Sequence, residues 1–233
     1  MYLTLDPARI LATLEKLRSR IEERFPGAGL RKVCDEVIET ARRTEERCAW
    51  LDRPHVWVRA AATLAVLLLV ATLVGLALPF LDEAGEITFF EFVQVFEAGL
   101  NDVVLLGAAI FFLLTLENRL KRKRALEGLH ELRSLAHVVD MHQLTKDPVR
   151  LRHQGRDTTS SPKRTLTPFE LTRYLDYSAE LLSLVGKLAA LYAQHLNDAV
   201  VLSAVHEIET LTNELSVKVW QKVATVEVAA KEA

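Results

Sequence analysis

Through the first fifty residues, apolar side chains return every three or four positions, the period of one face of an α-helix. Ile10, Leu14, Leu17 and Ile21 form one such stripe, entered through Asp6 as a cap and Pro7 at the first helical position. Pro26–Gly27 interrupts it. A second stripe opens with Leu30, Val33, Cys34, Val37, Ile38 and Ala41, and its helix reaches Trp50 ahead of Asp52-Arg53-Pro54.

Beyond Arg59 the period disappears because the polar positions disappear. Ala60 to Leu78 holds no charge and two threonines. As a helix this run spans about 28 Å, against a hydrocarbon core of roughly 30 Å. Trp57 and Arg59 flank one end, an indole suited to the headgroup layer and a side chain able to snorkel. Pro79 is expected to end the helix at the other. Val103 to Leu116 is a second uncharged run, but it reaches only about 21 Å. Upstream, Glu91, Gln94, Glu97, Asn101 and Asp102 fall in one sector of a helix, and Phe89, Phe92, Val93, Phe96 and Leu100 fall largely elsewhere. The spacing predicts one amphipathic helix running into the apolar segment, and so a two-helix transmembrane hairpin.

No proline occurs between Leu81 and Asp147, so the second span is expected to continue as a stalk helix to about Met141. Gln143 to Arg164 is rich in basic, Ser, Thr and Pro residues and reads as an exposed linker. Thr167-Pro168-Phe169-Glu170 combines a capping threonine, a proline at the first helical position and a glutamate that completes a capping box. The helix it starts carries Tyr174, Leu175, Leu181, Leu182, Val185, Leu188 and Tyr192. After a turn at Asn197–Asp198, a last helix carries Val201, Val205, Ile208, Leu215, Val219 and Val223. Two helices of this length need further helices to cover their stripes, and the N-terminal pair or another subunit's stalk is available. No stretch alternates as a strand would. The expected fold is all-α: a transmembrane hairpin with a cytoplasmic helical bundle formed by the N- and C-terminal regions.

Composition alone is ordinary, with 50% hydrophobic and 26% charged residues. Segregation is what changes the picture. Seven of the nine phenylalanines lie between positions 80 and 112. Residues 82–102 carry six acids and no Lys or Arg. Arg42, Arg43, Arg47, Arg53 and Arg59 precede the first span, and Arg119, Lys121, Arg122, Lys123 and Arg124 follow the second. Basic residues stay on the cytoplasmic side of a membrane, which predicts a multi-pass protein of the cytoplasmic (inner) membrane with both termini cytoplasmic and the acidic connection outside. The lipid bilayer is the first expected partner. A net charge of -2 gives no bulk attraction to nucleic acid. Met1 to Phe25 is amphipathic and lacks the apolar core of a signal peptide. Cys34 and Cys48, about 21 Å apart along one helix, read as reduced packing residues.

Two clusters are candidates for chemistry. On a continuous stalk helix His130, Arg133, His137 and Asp140 form a polar stripe beside the apolar stripe Leu129, Leu132, Ala136 and Val139. A stripe of this kind fits an ion-pair network at a seam, or a ligand site. Metal binding is geometrically strained, because His130 and His137 lie about 10 Å apart along the axis. Glu127-Gly128-Leu129-His130 has the Glu-x-x-His spacing of di-iron bundles, but the second copy those sites need is missing. The other cluster is Glu91, Glu97 and Asp102, which an oligomer would arrange as acidic rings at a pore mouth; an interfacial helix with Phe in lipid and acids in solvent is the plainer reading. Glycine-rich phosphate loops, a Gly-x-Ser-x-Gly elbow, Cys-x-x-Cys and His-Glu-x-x-His are missing from the sequence, and no cofactor is implied.

The expected organisation is therefore an N-terminal cytoplasmic helical hairpin at 1–54, a transmembrane hairpin at 55–117, a stalk at 118–142, a linker at 143–166 and a C-terminal helical hairpin at 167–233. The function expected of it is non-enzymatic: a homo-oligomeric membrane protein whose cytoplasmic helices serve assembly or docking of a cytoplasmic protein partner. An oligomeric cation channel or transporter with an acidic outer mouth and a metal-dependent membrane enzyme at His137 and Asp140 are the alternatives.

Overall fold

The computed structural model describes residues 4–54, 56–82, 89–146, 148, 159–161 and 166–232. Among these the chain is all-helical, with no strand. Its elements are α1 (Pro7–Arg24), α2 (Gly29–Leu51), α3 (Val56–Asp82), α4 (Phe89–Leu144), α5 (Pro168–His195) and α6 (Ala199–Glu232). The chain divides into two compact units, residues 53–121 and the remainder on either side of them.

In the larger unit three of the helices start on side-chain caps. The Asp6 carboxylate accepts the Ala8 N–H at 3.0 Å to start α1. Ile10, Leu14, Leu17 and Ile21 are its buried stripe. Gly27 has φ +73°, a left-handed conformation that lets the chain turn between α1 and α2 without a β-carbon clash. At α5 the capping box forms in both directions: the Glu170 N–H donates to the Thr167 hydroxyl at 3.2 Å, and the Glu170 carboxylate accepts the Thr167 N–H at 2.8 Å. Asp198 opens α6 by accepting N–H groups of Val200 and Val201 at 3.0 and 3.2 Å.

α5 is the central helix. Fifteen of its 28 residues are buried, and α1, α2 and α6 all pack against it. The α6 stripe Val201, Val205, Ile208, Thr212, Leu215 and Val219 is buried at alternating four- and three-residue steps, the spacing of a helix–helix seam. Opposite it, a β-carbon at Gly186 would lie 2.9 Å from the Thr212 hydroxyl, so the two helices approach closely there. Ala125, Leu129, Leu132, Ala136 and Val139 of α4 enter the same core. α4 continues past Met141 to Leu144. Its last turn is held by Gln143, which is buried and accepts from the Lys222 ammonium at its carbonyl (3.1 Å) and its side-chain oxygen (2.7 Å). Most of the expected linker lies outside the described residues.

Cys34 and Cys48 are free and buried in α2. Burial pushes each thiol up to about 12. Neither should react with a maleimide at pH 8 in the folded protein, and both should react once it is denatured; mass spectrometry of the adducts reads the difference. Rapid labelling of either thiol in the native state would contradict this packing.

The smaller unit is built differently. α3 runs through Pro79 to Asp82, so the proline does not end the helix as the sequence suggests. A proline removes one backbone donor and crowds one carbonyl, a local cost that a helix can absorb near its end when the residues around it offer no better conformation. α3 and the first part of α4 contain two stretches long and apolar enough to cross a membrane, with mean hydropathies of 2.1 and 2.0.

Candidate functional site

The apolar faces of the smaller unit are its main chemical feature. Only 11% of one apolar stretch and none of the other is buried. Leu67 is 61% exposed, Leu105 70% and Phe111 67%. The core helix of a water-soluble protein hides such residues, and contiguous apolar surface on this scale needs an apolar environment. At the basic end of the pair, Glu117 lies 3.1 Å from the Lys121 ammonium and 3.5 Å from Arg59 Nε, which ties α4 to α3. The Glu117 and Lys121 side chains are largely buried, so this ion pair is shielded from solvent.

The acids singled out at the other end remain on α4. Glu97 is exposed and Asp102 half-buried, and neither has an ion-pair partner among the described residues. The Glu91 side chain and residues 83–88 of the acidic connection lie outside the described residues.

In the larger unit a polar junction joins α2, α4 and α5. Arg47 of α2 presents two N–H groups to Glu131 of α4, at 2.6 and 3.0 Å, in the forked geometry that makes arginine–carboxylate pairs strong. Arg43 adds a contact at 3.5 Å. Beside them the Tyr192 hydroxyl of α5, fully buried, lies 3.4 Å from the Thr44 hydroxyl. Gly128 leaves room for all of this: a β-carbon there would sit 2.0 Å from the Tyr192 hydroxyl oxygen and 3.0 Å from Arg47 Nη1. Hydrogen bonds from Arg47 hold the Glu131 carboxyl below its ordinary range, outweighing its partial burial, with Arg43 assisting. Burial raises the Tyr192 phenol. The Glu131–Arg47 pair was not foreseen. A glycine in the interior of a long helix costs roughly 1 kcal/mol relative to alanine, and Gly128 is the one signal in the sequence that marked this spot.

No protein family, no curated protein and no solved structure matches the chain.

The stripe His130, Arg133, His137 and Asp140 divides among different neighbours. Arg133 donates to Glu207 of α6 at 3.0 Å. Asp140 accepts from the Gln143 side chain at 2.7 Å, beside the Lys222 contacts already described. His130 and His137 are exposed and have no hydrogen-bond partner for their rings among the described residues. His142 packs on Gly29, where a β-carbon would come within 2.6 Å of its ring. Among the described residues no three His, Cys, Asp or Glu side chains come together as a metal site would require.

Two further polar contacts lie in this unit, Arg122 with Asp198 and His195 with Asp52. Arg122 donates through Nε and Nη2 to Asp198, at 2.9 and 2.7 Å. Burial pulls the Asp198 carboxyl upward, but Arg122 and the amides of Val201 and Val200 outweigh it and leave the group below its usual range. His195 Nδ1 lies 2.9 Å from both carboxylate oxygens of Asp52.

Glu131 gives a pH prediction of fixed sign. A carboxyl whose folded pKa is depressed stabilises the fold above its unfolded value, near 4.5, and loses that contribution as pH falls through the folded one. Thermal unfolding of Glu131→Gln against the unaltered protein should therefore show a gap at neutral pH that narrows below pH 4.5. A gap that stays constant with pH would contradict it.

Proposed function

We propose that the chain is a homo-oligomeric integral protein of the cytoplasmic membrane, anchored by α3 and α4 as a two-span hairpin, with its larger helical unit serving assembly or the docking of a cytoplasmic protein. The observation that carries this reading is the exposed apolar surface of α3 and α4, which water would not tolerate and lipid would. Charge supports the orientation: the segment between the spans carries acids alone, and both flanks are basic. The Arg59–Glu117–Lys121 cluster supports a hairpin, since it joins the two helices at the end where arginine and lysine reach the interface. Among the described residues the larger unit offers helical surface and structural ion pairs, which supports an assembly role.

Alkaline carbonate extraction followed by sizing in detergent tests both halves. The chain is expected to stay with the membrane pellet and to migrate above the mass of one copy. Release by carbonate would remove the anchor; a strictly monomeric particle would remove the oligomer.

A further inference from the structure

An open trough of about 950 Å³ runs along α5, walled by α6 on one side and by residues of α1 and the segment before it on the other. From Asp176 to Ala190 its floor extends for about 21 Å, the length of a four-turn helix. Its two ends carry opposite features. α5 and α6 are antiparallel and Gly186 lies against Thr212. From that level Trp220 lies about 12 Å toward the Asp176 end, and Ala190 about 6 Å the other way. One end thus presents an indole, 57% exposed, together with Asp176 and Glu180. The other presents the small Ala190, the flank of Leu5, and Lys187, which has no acidic partner among the described residues.

The midpoint falls at Ser183 on α5, with Asn213 and Ser216 facing it from α6. A two-fold axis through this point brings Lys187 of one copy to the level of Glu180 in the other, and Trp220 to the level of Ala190. The large ring meets the small side chain and the cation meets the acid. This is the self-complementarity that an isologous contact requires. We infer that the trough is the contact face between two copies of this chain, with the two α5 floors facing each other, the α6 wall of each copy against the α1 side of the other, and each Trp220 ring over the other's Ala190 and Leu5. The inference rests on the homo-oligomer reading above and names its surface. The indole in a hollow supplies most of the affinity. Glu180 already holds Arg20 of its own copy, so the added Lys187 contact fixes register rather than strength.

A single substitution tests it in the full-length protein. Ser183 is exposed and sits at the proposed axis, so Ser183→Cys places two thiols face to face only if two copies meet there; the native cysteines are buried. Mild oxidation in detergent should yield a reducible band at twice the 26.2 kDa chain mass. Adding Trp220→Ala should lower its yield several-fold, and Glu127→Cys, exposed on α4 away from the trough, should give no such band. An oligomer by sizing that does not crosslink through Ser183→Cys overturns the trough and leaves the oligomer standing. A monomer by sizing overturns both, and equal crosslinking through Glu127→Cys overturns the trough as a specific face.

Discussion

Gly128→Val is expected to unfold the larger unit or to destabilise it by about 3 kcal/mol or more, the range for overpacking a filled site. The mechanism is local and specific. Even one added carbon at position 128 would lie 2.0 Å from the Tyr192 hydroxyl and 2.7 Å from the ring carbon that bears it. Tyr192 is fully buried and cannot swing away, and behind it the Arg47 guanidinium is held by Glu131. Gly128→Ala should be the milder version. Removing the hydroxyl in the double variant Gly128→Ala/Tyr192→Phe should recover part of the loss, so the two substitutions would be non-additive in a double-mutant cycle. Glu127→Ala, one residue away and exposed, should stay within about 0.5 kcal/mol of the unaltered protein. Thermal unfolding of these four variants and of Tyr192→Phe alone measures all of this, and an unchanged midpoint for Gly128→Val would mean that α2, α4 and α5 do not meet as described.

Leu67→Arg carries the second large effect, and here the sign itself is informative. Leu67 is exposed and lies near the middle of the uncharged run of α3. On the surface of a soluble protein, an exposed leucine changed to arginine alters stability little and aids solubility. At the centre of a membrane span the same change costs about 3 kcal/mol of insertion free energy. The expected result is a marked fall in the membrane-inserted fraction, read by carbonate extraction of cells expressing each form, and no comparable fall for Lys123→Ala outside the span. A Leu67→Arg protein that inserts as well as the original would count against α3 as a span.

Local rules gave much of this architecture. The α1 stripe from Ile10 to Ile21, the capping box at Thr167 and Glu170, and the stalk stripe Leu129, Leu132, Ala136 and Val139 are each written within a few consecutive turns, and all form as read. What escaped depends on partners far apart in sequence. Arg47 and Glu131 are 84 positions apart, and no periodicity reveals that one will meet the other. Pro79 escaped for another reason: the rule that proline ends a helix describes an energetic cost, and α3 continues one turn despite it. Among the candidate site residues, Arg133 and Asp140 have neighbours that lie outside the stripe the sequence drew, on α6 and in the last turn of α4. His130 and His137 remain exposed, because the neighbouring apolar stripe is the one that packs into the core.

The proposed anchor requires α3 and α4 to cross lipid with their basic flanks retained on one side. Its most direct test is cysteine accessibility in intact cells, using a membrane-impermeant maleimide and the buried native thiols as silent background. Glu86→Cys, in the acidic connection, should label from outside, and Ser160→Cys should label only after the membrane is permeabilised. Labelling of both positions in intact cells, or of neither, would contradict a hairpin with both flanks inside.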